Sequence, residues 1–291
     1  MKSLAGSASA QLTTTDHRRD AAGLTYVYPV MSRRSGGLSI GINLNPNNAC
    51  NWRCLYCQVP NLVRGAAPAI DLQLLRKELR ELLQDTLRGE FFQRFQVAEA
   101  QRVIRDIAIS GNGEPTSAAE FDQVVLIIGE ICQEFALPAA VKRVLISNGS
   151  LIGREQVRRG LAMWKELGGE IWFKLDSATE AGIQRINGVH IKPAQVLQHL
   201  QLAASLCPVW IQTCVFGFDG QPPSDDERAA YLAFLSEALS REAMLQGVLL
   251  YGLARPSLQP EAPRLAALPE DWLEAFAEQI RALGLVVRLS P

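Results

Sequence analysis

The sequence predicts an α/β fold, a parallel sheet with outer helices, from three observations. Six short apolar runs rich in β-branched residues recur along the chain, amphipathic helical stretches separate them, and an unusual polar or glycine-bearing segment follows each run. The runs are 38–44 (LSIGINL), 106–110 (DIAIS), 143–147 (RVLIS), 171–176 (IWFKLD), 209–217 (VWIQTCVFG) and 247–253 (GVLLYGL). Apolar residues at nearly every position suit strands covered on both faces, as in a parallel sheet.

The helical stretches carry their own start and stop signals. Asp71 is placed to cap a helix whose Leu72, Leu75, Leu79 and Leu82 form one stripe. Phe121, Val124, Val125, Ile128, Ile131, Cys132 and Phe135 form a second stripe. Ser224-Asp225-Asp226-Glu227 reads as a capping box for a helix through Tyr231, Leu235 and Leu239, while Pro269 starts and Gly284 stops the last helix. Right-handed strand–helix–strand units build either an open doubly wound sheet or a partly closed barrel. Placement of the unusual segments favours the barrel, whose chemistry gathers at the C-terminal ends of its strands. Cys50–Cys57 follows the first run, Gly111–Pro115 the second, Asn148-Gly149 the third, Asp176-Ser177 ends the fourth, Gly217–Gly220 closes the fifth and Ala254-Arg255-Pro256 follows the sixth.

A chain of 291 residues is long enough to bury a sizeable core. Residues 1–25, rich in Ser, Thr and Ala and without periodicity, read as a flexible N-terminal arm, and residues 26–291 as one domain. The net charge of −1 and pI near 6.3 provide no overall basic field for nucleic acid or a membrane surface. Arg18-Arg19, Arg33-Arg34 and Arg158-Arg159 read as solvated faces. No apolar run reaches the ~18 residues of a membrane span, and the N-terminus has no apolar signal core. Six cysteines without a secretory signal suit a reducing cytoplasm, where thiols bind metal or stay free.

Cys50, Cys54 and Cys57 place three soft ligands within eight residues, too close for all to point into a core. As thiolates they suit iron, zinc or an iron–sulfur cluster. The remaining Cys132, Cys207 and Cys214 lie far along the chain and read as small core residues, so three ligands leave one metal corner open for a substrate or cofactor. A small zinc site is the alternative. His17, His190 and His199 show no metal-ligand spacing. Lys174 and Asp176 are charged groups two apart on an otherwise apolar strand, a placement that suits a polar lumen and the binding of a carboxylate or the positioning of a substrate.

The pattern Cys50-x-x-x-Cys54-x-x-Cys57, with the aromatic Tyr56 before the last cysteine, resembles the hallmark of the radical S-adenosylmethionine (radical SAM) superfamily. The resemblance implies a partial (βα)6 barrel, a [4Fe-4S] cluster on the three cysteines, and S-adenosyl-L-methionine chelating the open iron through its amino and carboxylate groups. It also implies reductive cleavage of that cofactor to a 5′-deoxyadenosyl radical that abstracts a substrate hydrogen. Gly111-Asn112-Gly113-Glu114-Pro115 resembles the family's glycine-rich segment for the cofactor's amino group, with one intervening residue. By the same resemblance Ser147 and Asn148 would serve the ribose and methionine carboxylate, Asp176 and Tyr56 would belong to the cofactor site, and Leu253 with Ala254 would flank the adenine.

The phrases Ser110–Pro115, Ser147–Gly149, Lys174–Ala178 and Arg185–Asn187 resemble the branch containing the tRNA wybutosine-forming synthases. Those synthases carry extra N-terminal cysteines for a second cluster, and this chain has no cysteine before Cys50. The implied partners are an electron donor such as flavodoxin or ferredoxin and an unassigned substrate, whether small molecule, peptide or tRNA nucleotide. Two other readings stand beside this one: an activase that installs a glycyl radical on a partner protein, and a non-catalytic zinc or RNA-binding module.

Overall fold

The computed structural model describes residue 12, residues 23–32 and residues 36–290. The predicted arm therefore lies mostly outside the described residues, as do His17 and the arginine pairs at 18–19 and 33–34.

Eight strands form one sheet that curls into a half-barrel. In chain order and in spatial order they are β1 (Val27–Ser32), β2 (Gly37–Ile42), β3 (Ile104–Ile109), β4 (Lys142–Ser147), β5 (Gly169–Lys174), β6 (Val209–Cys214), β7 (Leu245–Tyr251) and β8 (Val287–Ser290). All neighbours run parallel except β1, which pairs antiparallel with β2. The six expected strands are β2–β7, within a few residues at each end. The two additional strands occupy the sheet edges. Pro29 argues against a central strand at Val27–Ser32, yet an edge strand tolerates it because one side of the strand needs no donor. The fifth strand ends at Cys214 instead of 217, and the sixth at Tyr251 instead of 253. Past their ends Phe216 and Leu253 turn to a separate apolar cluster at the rim with Leu55, Ile186 and Cys214.

Seven helices of eight residues or more cover the outer face: α1 (Leu72–Arg88), α2 (Phe121–Glu134), α3 (Glu155–Glu166), α4 (Glu180–Asn187), α5 (Pro193–Leu206), α6 (Asp225–Ser240) and α7 (Glu270–Arg281). Asp71 caps α1 by accepting the backbone N–H of Gln73 and Leu74, and Ser224 caps α6 by accepting that of Glu227. Pro269 stands at the start of α7 as expected. The start of β1 is pinned by Glu78 of α1, a buried carboxylate that accepts the N–H groups of Thr25, Tyr26 and Val27 at 2.8, 2.7 and 3.2 Å.

Alternation along each strand separates two environments. Leu38, Ile40, Ile42, Ile107, Ile109, Leu145, Ile171, Phe173, Ile211, Val248 and Leu250 face the helices and are essentially inaccessible to solvent. Their neighbours Ser39, Asp106, Ala108, Val144, Ile146, Trp172, Lys174, Gln212, Cys214 and Tyr251 face the lumen. Of the polar residues that interrupt the apolar runs, Ser39, Asp106, Lys174 and Gln212 are lumen residues, whereas Thr213 faces Tyr231 of α6.

Candidate active site

The loop after β2 carries the three cysteines and is shaped by asparagines. Asn43 Oδ1 accepts the backbone N–H of Asn45 and of Asn112, each at 3.0 Å, and Asn45 Nδ2 donates to the Ala49 carbonyl at 2.9 Å. Cys50, Cys54 and Cys57 are free, half-buried thiols on the wall of a lumen cavity of about 430 Å³. Burial pushes the Cys50 thiol up to about 11, although the Trp52 N–H works against it. Burial likewise pushes Cys54 to about 12, against the pull of Lys174. Such thiols hold their protons at neutral pH until a metal displaces them.

Two distant segments clamp this loop. From the end of α4, the carbonyls of Asn187 and Ile186 accept the N–H of Arg53 and Leu55 at 3.0 and 2.8 Å. From the segment after β7, Ser257 Oγ donates to the Leu55 carbonyl at 2.6 Å, Leu258 N to the Cys57 carbonyl at 2.9 Å, and Gln259 Nε2 to the Val59 carbonyl at 3.0 Å. The Arg53 guanidinium closes the clamp on both carboxylate oxygens of Glu261, each at 2.8 Å.

The glycine-bearing segment after β3 packs directly on the cysteine loop. A Cβ at Gly113 would overlap the Ala49 carbonyl oxygen and the Asn45 carboxamide. Asn112 Nδ2 donates to Asn48 Oδ1 at 2.6 Å. Glu114 borders the cavity but is only 2% exposed, and its carboxylate is already engaged. Oε1 accepts from Thr116 N, Thr116 Oγ1 and Ser147 Oγ at 3.1, 2.5 and 2.7 Å, and Oε2 accepts from Asn148 N at 2.7 Å. Burial raises this carboxyl, and the four donated hydrogen bonds work against the rise.

Of the polar residues expected at the ends of β4 and β5, the structure brings some to the cavity and leaves others behind it. Asn148 reaches the wall, and its Nδ2 donates to Asn51 Oδ1 of the cysteine loop at 2.9 Å. Ser147 does not line the cavity: it is 1% exposed, with its Oγ committed to Glu114 and to Gly149 N. Lys174, Tyr56, Gly111, Asn112, Gly113 and Leu253 all line the cavity. Asp176 stands behind Tyr56, bordering a second cavity between α4 and α6. Its Oδ2 accepts from the Tyr56 hydroxyl at 2.5 Å and from Asn187 Nδ2 at 2.8 Å, and its Oδ1 from Cys214 N at 3.0 Å. Cys132, Cys207 and Cys214 are buried core residues as expected, and Cys214 also borders the cavity.

Reasoning from sequence missed Asn187, whose Nδ2 approaches Cys54 Sγ at 3.3 Å, and the clamp residues Ser257, Gln259 and Glu261. A signal for the first existed. Thr179 caps α4 through Gly182 N, and Gly188 at φ +65° ends it, so this punctuation brackets a helix that carries Asn187 at its last position. The clamp residues show no comparable pattern.

A family model described as the radical SAM superfamily matches residues 44–234, more than half of the chain. The chain belongs to the radical SAM superfamily. Membership implies an iron–sulfur cluster, S-adenosylmethionine, a reductant and a substrate. The chain is 30% identical over 163 residues to the UPF0026 protein MJ1312 of Methanocaldococcus jannaschii, covering 56% of this chain and 43% of that one. It spans less than half the length of the curated relatives it matches. Among solved structures it is similar to a radical SAM methyltransferase from Sphaerobacter thermophilus, with a TM-score of 0.58 at 11% identity, covering 91% of this chain and 68% of that one. It is also similar to TYW1 with a lysine-pyruvate adduct bound, with a TM-score of 0.56 at 16% identity, covering 84% and 73%. Both likenesses concern the fold.

The donor set of this radical SAM chain fits the cluster. Three thiols bordering one cavity supply the thiolate ligands that an iron–sulfur cluster takes at its corners. No described helix is long and apolar enough to cross a membrane.

Proposed function

We propose that this chain is a radical SAM enzyme in which Cys50, Cys54 and Cys57 hold a single [4Fe-4S] cluster. The observation that carries the reading is three free thiols on one clamped loop, facing a cavity shared with Gly111, Gly113 and Leu253. When bound and reduced, the cluster supplies the electron that cleaves S-adenosylmethionine and yields a 5′-deoxyadenosyl radical for hydrogen abstraction. The protein's part is placement and exclusion of water. Gly111 and Gly113 let the backbone approach the methionine amino group, and Asn148 offers polar contacts to the ribose and carboxylate. Leu253 and Ala254 provide an apolar edge for the adenine. Glu114, Ser147 and Asp176 act from behind: Glu114 joins the Gly111–Gly113 segment to the end of β4, and Asp176 ties Tyr56, and with it the cysteine loop, to the end of β5.

The substrate is a small molecule, peptide or tRNA nucleotide, and the reductant a flavodoxin or ferredoxin in the cytoplasm. Residues 26–291 act as one domain preceded by the arm of residues 1–25. Anaerobic reconstitution tests the reading: it should give about four irons per chain and, with dithionite, release 5′-deoxyadenosine. Cys54→Ala should abolish both. Tight zinc binding without cofactor cleavage would replace the reading with that of a zinc module.

A further inference from the structure

The first cysteine of the signature lies on a short ribbon whose outer strand is exposed. Ala49 and Cys50 pair in parallel register with Val63 and Arg64, and Gly65 N donates to the Cys50 carbonyl at 3.1 Å. Val63 is 52% exposed, and Arg64 beside it is exposed as well. One strand spacing, about 4.8 Å, therefore separates the protein surface from the Cys50 backbone. The Arg64 guanidinium donates to the carbonyls of Asn51 and Gly188, which carries the ribbon across to the end of α4. Lys192 stands four residues beyond Gly188, and Asn51 Nδ2 reaches Ser150 Oγ at 2.8 Å, four residues before Arg154.

This surface is positively charged although the chain as a whole is not. Residues 44–70, 144–154 and 181–218 contain no Asp or Glu. Arg64, Arg154 and Lys192 are exposed and make no ion pair among the described residues, while the neighbouring carboxylates Glu155 and Glu261 are taken by Arg159 and Arg53. Arg154 and Lys192 precede α3 and α5 without capping them, and a cation at a helix start opposes the helix dipole. The fold gains nothing from either charge. We propose that Val63, Arg64, Arg154 and Lys192 form the docking surface for the reductant, an acidic one-electron carrier protein. Carboxylates around the carrier's redox centre meet the three cations, Val63 supplies an apolar contact beside them, and the electron enters through the ribbon at Cys50. One electron leaves the carrier's flavin, which passes from hydroquinone to semiquinone, and arrives at the cluster, reducing it from the 2+ to the 1+ state. Nucleic acid is the other polyanion such charge attracts, but no Phe, Tyr or Trp among the described residues is exposed to stack its bases. Only a redox partner needs the surface next to Cys50. The inference rests on the radical SAM reading, which supplies the need for a reductant.

The test uses cluster-loaded protein and a flavodoxin. Oxidised flavodoxin, titrated by calorimetry, should bind more weakly as ionic strength rises. The double variant Arg154→Glu/Lys192→Glu should lose about tenfold both in that affinity and in the rate at which flavodoxin hydroquinone bleaches the cluster's absorbance. The same variant should match the parent in iron content and in 5′-deoxyadenosine released with dithionite, a small reductant that needs no docking. Equal affinity and rate in parent and variant would overturn the proposal, as would flavodoxin binding that ignores salt or no flavodoxin binding at all. Loss of tRNA binding in the variant, with reduction by flavodoxin unchanged, would assign the surface to nucleic acid and overturn it too. Failure of the parent to take up iron, or to cleave S-adenosylmethionine with dithionite, would overturn the radical SAM reading instead.

Discussion

Asn187 Nδ2 lies 3.3 Å from Cys54 Sγ and 2.8 Å from Asp176 Oδ2, so one side-chain amide links a cysteine of the signature to the carboxylate at the end of β5. Hydrogen bonds to cluster sulfurs stabilise the reduced, more negative state and raise the reduction potential.

Asn187→Ala should therefore lower the cluster's potential by roughly 60 mV, one tenfold step in a one-electron equilibrium. A redox titration followed by electron paramagnetic resonance reads the shift. An unchanged potential in fully loaded protein would reduce Asn187 to a packing role.

Glu114→Gln should destabilise the fold by about 2 kcal/mol. An amide group in place of one carboxylate oxygen would oppose donors at Ser147 Oγ, Thr116 or Asn148 N, all of which now point at the carboxylate. Thermal unfolding of the metal-free protein measures the change, and a melting temperature equal to that of the parent would contradict the role assigned to Glu114.

Gly113→Ala forces a methyl group into the Ala49 carbonyl, a backbone atom one residue before Cys50. Overpacking of this kind costs about 1–3 kcal/mol, and relief requires the cysteine loop to move. Iron content after reconstitution should fall well below that of the parent. Gly168→Ala provides the control: its φ of +74° brings strain, but no atom lies within 4 Å of the added Cβ.

In metal-free protein under reducing conditions, Cys50 should alkylate slowly at pH 7. A thiol raised to about 11 is almost wholly protonated there, and its reactive thiolate grows tenfold per pH unit until the pH approaches that value. Peptide mass spectrometry after iodoacetamide at stepped pH gives the profile. A rate that levels off near pH 8.5, the ordinary thiol range, would show that the loop opens in the absence of iron.

The cysteine spacing, the glycine-bearing segment and the strand–helix alternation were legible because they depend on neighbours in sequence. A run such as LSIGINL declares its strand through local pattern, and Asp71 or Ser224 declares a helix start through hydrogen bonds two or three residues ahead. Six strands and the signature loop could be placed on that basis alone. The edge strand at Val27–Ser32 escaped because Pro29 reads against a strand until the neighbour's position shows that its missing N–H faces an open edge.

What only the tertiary structure decided is which polar residues touch the chamber and which stand behind it. Ser147 and Asn148 are adjacent in sequence and equally polar, yet strand alternation sends one into the buried shell and the other to the cavity wall. Asp176 meets Tyr56 across 120 residues, and Gln259 meets Val59 across 200. Contacts of that span leave no periodic trace, since the partners are joined by the curl of the sheet and not by the local geometry of the chain. The amino-acid order settled where the sulfur ligands would lie, and the packing of distant loops settled what holds them there.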